Sequence, residues 1–350
     1  MAKDYYADRN VLNNRKTEEV LSDLPPYVFD YFVGIEPRTS ALTRLNYAYD
    51  LRVFYQYLSE KIFKNTPVVE ITLEQLEGLD SFIFERYLLY LGDYEINGKR
   101  STCNEQAKKR KLASVRSFYK YFYNKGLLEA NPSSKVTLPK IHDKEIIRLE
   151  VNEVVDILNE AEYGENMSGH MKLYHENTKL RDVALLSLFL GTGIRISELV
   201  GLNVDDIDFM TNAFIVTRKG GNRTILYFSD EVGGALYEYV KQREANKKVP
   251  QDERALFLSL QNRRMSVRAV ENLVKKYASI VTPLKHITPH KLRSTFGTNL
   301  YRETGDIYQV ADTLGHKDVN TTKRHYAAIS EDNRRKSAEV IRLREKENGD

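Results

Sequence analysis

The sequence feature that most constrains the fold is a change of hydrophobic pattern near residue 140. Over the first 140 residues, apolar side chains recur at helical spacing and no strand-like alternation stands out. The clearest helical stretches are residues 40–59, 81–91 and 104–125, and Thr39 or Ser40 is suited to cap the first of them. The first part of the chain is therefore expected to be a small helical domain.

The segment 131–140 separates this part from a region of mixed pattern. It contains Pro132 and Pro139, which interrupt helical periodicity, and we interpret residues 136–147 as an interdomain linker. Beyond the linker, three short stretches have strand character, and the last two flank a glycine-containing turn that is typical of a hairpin. These stretches are residues 204–209, 213–217 and 224–228.

Helical patterns dominate the rest of the second part. They cover residues 151–161 and 179–190, and the polar stretch 162–177 between them is expected to be a loop. The chain is thus predicted to be mainly α, with a small antiparallel β-sheet in the C-terminal domain. The predicted parts are a flexible N-terminus (1–24), a helical domain (25–135), the linker (136–147), a second domain (148–330) and a C-terminal helix or tail (331–350).

Composition indicates the cell compartment of the protein and limits the kinds of site that it can contain. The net charge of +4, from 53 basic and 49 acidic residues, is too small to indicate nucleic acid by itself. A single cysteine, Cys103, excludes an internal disulfide and a four-cysteine zinc site, and favours the reducing cytoplasm. There is no signal-peptide pattern, and no apolar run approaches the roughly 20 residues of a membrane span. We expect a cytoplasmic protein with no membrane partner.

Four short clusters in the second part contain residues suited to chemistry on a phosphate. In the first, residues 191–199, a glycine turn follows an apolar helix and delivers Arg195 to the start of another helix, where anions are favoured. Glu198 lies three residues further on and could orient the guanidinium. Taken alone, such an arginine is usually a cap or part of a surface ion pair.

The second and third clusters add further basic residues. Residues 218–223 form the hairpin turn, whose glycines would let Lys219 approach a phosphate closely. Residues 288–293 open with a threonine–proline pair that suits a helix start, so His290 and Arg293 share one face of the first turn. Alone, each pattern is explained as well by a solvated turn or an exposed basic helix start.

The fourth cluster, residues 314–326, contains a candidate nucleophile. Gly315 can end one helix and Asn320 can start the next, which places His316 on the bend between them and Tyr326 on the following helix. By itself, Tyr326 is one of 23 tyrosines and is more typical of packing.

Together the clusters supply what a tyrosine attack on a phosphodiester requires. Two arginines can bind the non-bridging oxygens of the five-coordinate state, with a histidine as a further donor. A lysine can protonate the leaving 5′ oxygen, and a histidine can take the proton of the phenol, whose usual pKa is about 10. The set leaves no task for a metal or a nucleotide cofactor. Its members are Arg195, Lys219, His290, Arg293, His316 and Tyr326.

These residues, in this order and spacing, resemble the tyrosine recombinase (phage integrase) family. The resemblance covers the catalytic half, about residues 148–330, and is weaker in the helical half, which is similar to a core-binding (SAM-like) domain. In the family, glycine is frequent where this chain has Arg218. The resembling segments are 191–199, 218–223, 290–293, 314–316 and 321–326, with 47–59, 114–121 and 131–140 in the helical half.

The resemblance implies a role for each residue and an assembly. Arg195 and Arg293 would hold the scissile phosphate with His316, Lys219 would be the general acid, His290 would transfer protons, and Tyr326 would form a 3′-phosphotyrosyl bond. The two domains would form a C-shaped clamp on double-stranded DNA. A homotetramer would join two duplexes through a Holliday-junction intermediate.

The resemblance also implies a biological setting. A core-binding part that starts near residue 25 favours a simple Xer-like architecture. That architecture serves chromosome-dimer resolution or a mobile element, with or without a partner recombinase or a regulatory protein.

A basic run in the helical domain is the candidate for further DNA contacts. It lies along the stretch 104–125, where only Glu105 opposes it locally, and it predicts a phosphate-contacting helix face. A solvated helix face is the alternative. The residues are Lys108, Lys109, Arg110, Lys111, Arg116 and Lys120.

Two other classes of function use similar residues. A relaxing topoisomerase or a telomere resolvase would apply the same chemistry differently, and relaxation of a plasmid without a specific site would reveal the first of these. A non-enzymatic DNA-binding protein of the same fold would form no covalent adduct. The presence of all six candidate residues argues against that last class.

Overall fold

The computed structural model of the chain describes residues 5–64, 66–96, 98–138, 147–218, 221–315 and 319. The chain divides into two compact units, Met1–Lys144 and Glu145–Asp350. The division falls inside the stretch that the sequence predicts as a linker. The expectation of a mainly α fold with a small antiparallel sheet in the C-terminal part is confirmed.

The N-terminal unit is helical except for one short hairpin. Its strands β1 and β2 are antiparallel, with Tyr94 opposite Ser101. Ser40 caps α3 by accepting from the amide of Thr43 at 3.2 Å, as expected from the sequence. The elements are α1 (Tyr5–Leu21), α2 (Tyr27–Ile35), α3 (Ala41–Tyr57), α4 (Leu73–Glu77), α5 (Ser81–Tyr90), β1 (Tyr94–Ile96), β2 (Lys99–Ser101) and α6 (Glu105–Asn124).

Aromatic side chains fill the core of this unit. The rings of Phe54 and Tyr87 lie 5.1 Å apart at 74°, and those of Phe84 and Tyr119 lie 5.1 Å apart at 83°. All four are fully buried, and edge-to-face pairs of this kind add to the free energy gained by apolar burial. They hold α3, α5 and α6 around one centre, which gives α6 a fixed inner face and a fixed outer face.

The N-terminus differs from its prediction. Residues 1–24 are expected from their polar composition to be flexible, whereas Tyr5–Leu21 form α1, which packs on α3. Thr17 and Val20 are buried, and Arg44 of α3 donates to Asn14 at 3.1 Å. So few inward positions are apolar that the helical periodicity is weak in the sequence, and contacts with α3 stabilise the helix instead.

The β1–β2 hairpin is a second departure, because no strand is predicted before residue 140. Each strand has three residues. Alternation with a period of two residues needs a longer run before it can be recognised. The pattern of the sequence therefore does not reveal this hairpin.

A buried carboxylate joins α3 to α6. Asp50 is fully buried and accepts from Lys111 at 3.1 Å, from Ser114 at 2.8 Å and from Arg110. Lys111 is itself only 7 % exposed. Each buried charge depends on the other, because an ion that loses its partner away from water retains the cost of desolvation.

Asp50→Ala is expected to destabilise the packing of α3 on α6 by about 3–5 kcal/mol, because Lys111 would remain buried without its partner. The free energy of opening can be measured from amide hydrogen exchange of both helices in the full chain. Asp93→Ala is the matched control, since it breaks an ion pair with Arg100 whose two side chains are 52 % and 78 % exposed. Equal protection of α3 and α6 in the two variants would contradict this account.

The C-terminal unit surrounds a small antiparallel sheet with helices. The sheet order is β3-β4-β5, and Val216 of β4 pairs with Thr224 of β5. The elements are α7 (Val151–Tyr163), α8 (Gly169–Thr192), α9 (Ile196–Gly201), β3 (Ile207–Asp208), β4 (Ala213–Thr217), β5 (Arg223–Tyr227), α10 (Asp230–Ala245), α11 (Val267–Val281), α12 (Pro289–Thr304) and α13 (Ile307–Leu314).

Two elements of this unit differ from their predictions. The polar stretch 162–177 is expected to be a loop, but α8 begins at Gly169. His175, Thr178 and Asp182 are all buried on one face of this extension, so polar residues occupy the inward positions that the pattern would show as apolar. The expected strand 204–209 is a short 3₁₀ turn followed by the two-residue β3.

The long helix α8 forms the centre of the C-terminal unit. It packs against α7, α10 and α12, and Leu185, Leu188 and Phe189 are fully buried along it. In the part of the chain that the structure describes, no helix combines the length and the apolar character needed to cross a bilayer. The C-terminal end of α8 leads directly to the first candidate arginine.

Candidate active site

The turn after α8 has a backbone that only glycine suits. Gly193 caps the helix with φ +61°, a left-handed conformation. A Cβ at this position would also overlap the side chain of Phe296 in α12. The turn therefore lies tightly against α12 and delivers Arg195 as the capping residue directly before α9.

A buried carboxylate holds Arg195. The Oε1 of Glu198 accepts from Nη1 of Arg195 at 2.8 Å, and Oε2 accepts from its backbone amide at 3.0 Å. Glu198 is 3 % exposed, whereas the side chain of Arg195 is 36 % exposed. The sequence predicts that Glu198 orients the guanidinium, and these contacts have the geometry for that task.

The third cluster lies at the start of α12. Pro289 occupies the first helical position and Thr288 the capping position, although the side chain of Thr288 makes no capping hydrogen bond. His290 is exposed on the first turn. Arg293 is 6 % exposed and donates to the backbone carbonyls of Gly193 and Leu314. Arg293 thus joins the turn after α8 to the end of α13.

Three arginines meet at the C-terminal end of α13. Arg218 donates to the carbonyl of Thr313 at 3.4 Å, Arg293 donates to that of Leu314, and Arg195 donates to that of Gly315 at 2.8 Å. The last carbonyls of a helix have no partner within the helix and carry its partial negative charge. This charge stabilises guanidinium groups that would otherwise repel one another.

Three of the predicted catalytic residues, Lys219, His316 and Tyr326, lie outside the described residues. Two of them are chain neighbours of residues at this point, since Lys219 follows Arg218 and His316 follows Gly315.

The arrangement is suited to binding a phosphate. A guanidinium has five N–H donors in a planar fork that matches two oxygens of a phosphate. Within the described residues, hydrogen bonds to Glu198 and Gly315 use only part of the donor set of Arg195, and its side chain is partly exposed. The described residues contain no group of three or more His, Cys, Asp or Glu side chains arranged to hold a metal ion.

The basic run along α6 does not form one face. Lys111 points inward to Asp50, and Arg116 donates to the carbonyls of Ser133, at 2.9 Å, and of Val136. Buried acceptors of the same unit already bind these two side chains, which makes them less suited than the exposed lysines to contact DNA.

The remaining basic residues of α6 are at least partly exposed. Lys108 pairs with Glu105, and Arg110 pairs with Asp50 while remaining 52 % exposed. Lys109 and Lys120 are exposed, make no ion pair within the described residues, and lie about three helical turns apart on one face. These two lysines remain the best candidates of α6 for phosphate contacts.

Lys109→Gln and Lys120→Gln are each expected to weaken DNA binding without loss of stability. Each should lower by about 1 the slope of log affinity against log salt concentration, because each phosphate contact releases counterions. Lys111→Gln is the control on the same helix, and it should lower stability through Asp50 and leave the slope unchanged. Binding titrations at several salt concentrations measure the slope. An unchanged slope in both exposed variants would exclude this face.

Sequence reasoning misses one contributor to the site. Arg218 belongs to the basic turn, but its type and position do not indicate that it reaches α13. The signal that could have revealed it is Gly315, because only a glycine leaves room for the guanidinium that lies against it. Such a pair, distant in sequence, is recognised only once the fold is known.

Comparisons with known proteins show which family and which relatives this chain resembles. The sequence profile described as "Phage integrase family" matches residues 147–333. Tyrosine recombinase XerC of Syntrophus aciditrophicus (strain SB) is 31 % identical over 306 residues, covering 86 % of this chain and 92 % of the relative. Tyrosine recombinase XerC of Caldanaerobacter subterraneus subsp. tengcongensis is 32 % identical over 305 residues, covering 84 % of this chain and 80 % of the relative.

A solved structure has a similar fold at low sequence identity. It is the XerH site-specific recombinase bound to palindromic difH substrate in a post-cleavage complex, with a TM-score of 0.65 and 17 % identity. The match covers 97 % of each chain. A likeness at this identity supports the fold alone.

Proposed function

The chain belongs to the phage integrase family of tyrosine recombinases, enzymes that cleave and rejoin DNA, and we propose that it does so through Tyr326 at the site formed around the end of α13. The observation that carries this assignment is the meeting of Arg195 and Arg293 on adjacent carbonyls directly before His316. Two guanidinium groups held together at one point suit a single phosphate and its developing charge.

Each candidate side chain has one task in the proposed reaction. Arg195 and Arg293 bind the non-bridging oxygens, His316 donates a further hydrogen bond, and Glu198 fixes the fork of Arg195. His290 takes the phenol proton of Tyr326, and Lys219 gives a proton to the leaving oxygen.

The proposed cleavage exchanges one phosphoester bond for another. The phenolate oxygen of Tyr326 bonds to phosphorus while the bond from phosphorus to the 5′ oxygen breaks, leaving a 3′-phosphotyrosyl link and a free 5′ hydroxyl. A 5′ hydroxyl from the partner duplex then attacks phosphorus and releases the tyrosine, which yields a Holliday junction after one strand exchange. Because bond number is preserved throughout, the sequence of steps requires no nucleotide hydrolysis.

The proposed substrate is double-stranded DNA that contains a specific recombination site. Similar solved structures are those of XerH bound to difH substrate and of the Tn1549 transposon integrase in complex with circular intermediate DNA, which supports a DNA partner for this fold. We propose a homotetramer on two duplexes, clamped by both units, with a role of the Xer type. Such a role is chromosome-dimer resolution or movement of a mobile element, with or without a partner recombinase or regulatory protein. The single Cys103 and a DNA substrate favour the cytoplasm.

A nicked suicide substrate tests this function. After cleavage near the nick, a short fragment diffuses away, religation is prevented, and the protein should remain covalently bound to the 3′ end. DNA taken from sites bound in cells supplies the sequence, and mapping of the tyrosine–DNA junction identifies the phosphate attacked. DNA binding without any adduct would overturn the proposal in favour of a pure binding protein. Relaxation of plasmids that lack the site would favour a topoisomerase.

A further inference from the structure

Arg218 links the β4–β5 turn to the end of α13. It follows β4 directly, and its amide donates to the carbonyl of Asn222 at 2.8 Å, which closes the turn. Its side chain reaches the end of α13, where Nη2 donates to the carbonyl of Thr313 at 3.4 Å. One residue thus belongs to the turn through its backbone and to the α13 end through its side chain.

The fit of Arg218 against α13 is close. A Cβ on Gly315 would overlap its guanidinium, and Gly315 has φ +60°, where a side chain is already disfavoured. The Nε atom of Arg218 is buried and has no hydrogen-bond partner in the described part of the chain. Such a buried donor lowers stability, so the side chain retains this position only because its other contacts hold it there.

The other arginine of the hairpin provides the contrast. Arg223 begins β5 and pairs with Thr217 across the strands. Its side chain is 66 % exposed, and its ion pair with Asp206 spans 3.8 Å. The two arginines occupy the two sides of one turn, but only Arg218 reaches α13.

We propose that Arg218 is a positioning residue that fastens the β4–β5 turn to the end of α13 and so sets where Lys219 stands relative to the phosphate bound by Arg195. The inference rests on the proposed function, in which Lys219 protonates the leaving oxygen. It goes further by assigning a task to a side chain that itself neither binds the phosphate nor transfers a proton.

The physical reason lies in the sequence that follows Arg218. Lys219 is followed by Gly220 and Gly221, and Gly221 has φ +84°. Glycines leave the backbone many conformations, so a lysine beside them needs a fixed neighbour to occupy one place. Arg218 supplies that neighbour, because its guanidinium binds the same helix end as Arg195 does. In this proposal, Lys219 and Arg195 are both positioned relative to the same helix end.

A substrate with a 5′-bridging sulfur separates positioning of the acid from every other role. Sulfur leaves as a thiolate, which needs no protonation because a thiol has a pKa of about 8.5. On normal DNA, Arg218→Ala should slow single-turnover cleavage about 100-fold, the loss typical of a misplaced catalytic group. On the sulfur substrate, the same variant should cleave at nearly the wild-type rate. Arg218→Lys, which can still reach the carbonyl of Thr313, should lose less on normal DNA.

Arg223→Ala is the matched control, and it should cleave both substrates at the wild-type rate. Amide hydrogen exchange of α13 and DNA affinity verify that each variant is folded and bound. Equal losses of Arg218→Ala on both substrates, or no loss on normal DNA, would overturn the positioning role. Lys219→Ala tests the proposed function separately, because failure of the sulfur substrate to rescue that variant would remove Lys219 from the acid role. Rescue of Lys219→Ala without rescue of Arg218→Ala would reject only the present inference.

Discussion

Tyr326→Phe is expected to abolish the covalent protein–DNA adduct completely while DNA affinity remains at the wild-type level. The substitution removes one oxygen, the atom that would bond to phosphorus, and leaves the ring. No other group can replace it at a useful rate, because water would yield a free strand end rather than a bound one. The yield of covalent adduct should therefore fall below detection rather than to an intermediate level.

The suicide substrate described above measures this directly, by the shift of the protein band on a denaturing gel. Tyr308→Phe is a matched control on α13, since its side chain is 70 % exposed and removal of its hydroxyl should leave the adduct yield unchanged. Adduct that survives Tyr326→Phe but disappears in another tyrosine variant would transfer the nucleophile to that residue.

Arg195→Lys is expected to reduce the rate of cleavage about 100–1000-fold, the usual effect of removing one preorganised donor from a charged transition state. Lysine retains the positive charge but not the planar fork, so it cannot keep Glu198, Gly315 and a phosphate oxygen as partners together. DNA affinity should change little, because most of it comes from many other phosphate contacts.

Single-turnover cleavage at saturating protein, together with a binding titration, separates the two effects. Arg302→Lys provides the control, because Arg302 lies on the same unit and pairs with Glu150. Glu198→Gln should cause a smaller loss of cleavage rate, since the amide oxygen can still accept from the guanidinium but the negative charge of the carboxylate is gone. A wild-type cleavage rate in Arg195→Lys would show that this arginine does not bind the scissile phosphate.

Helices with an apolar stripe were predictable from the sequence. The stretches 40–59, 81–91 and 104–125 correspond to α3, α5 and α6, and Ser40 caps α3 as expected. In these helices, local propensity, capping and the period of the apolar residues agree with the final packing. The antiparallel pairing of β4 with β5 was predictable for the same reason.

Elements stabilised by polar or distant contacts were not predictable. The first half of α8 is buried through His175, Thr178 and Asp182, and α1 depends on α3. The inward roles of Lys111 and Arg116 on α6 depend on Asp50 and on two backbone carbonyls, none of them evident in the local sequence. A run of charge in a sequence does not reveal which members face the solvent.

The sequence predicts which residues belong to the candidate site better than it predicts how those residues are arranged. The sequence indicates that Arg195, Glu198 and Arg293 belong together, and the structure brings all three near the end of α13. It does not indicate that backbone carbonyls would bind the arginines, because every backbone has the same carbonyls and only the fold selects among them. The contact of Arg218 with α13 is not evident in the sequence for the same reason.

The end of α13 has a consequence for the timing of catalysis. Three cations already have oxygen neighbours there before DNA binds, and these oxygens offset the repulsion among the cations. The enzyme does not have to gather repelling charges during the reaction, which would slow it, since groups assembled beforehand need little rearrangement. An arriving phosphate therefore has to bind only the donors of Arg195 that Glu198 and Gly315 leave unused, which keeps the rearrangement small.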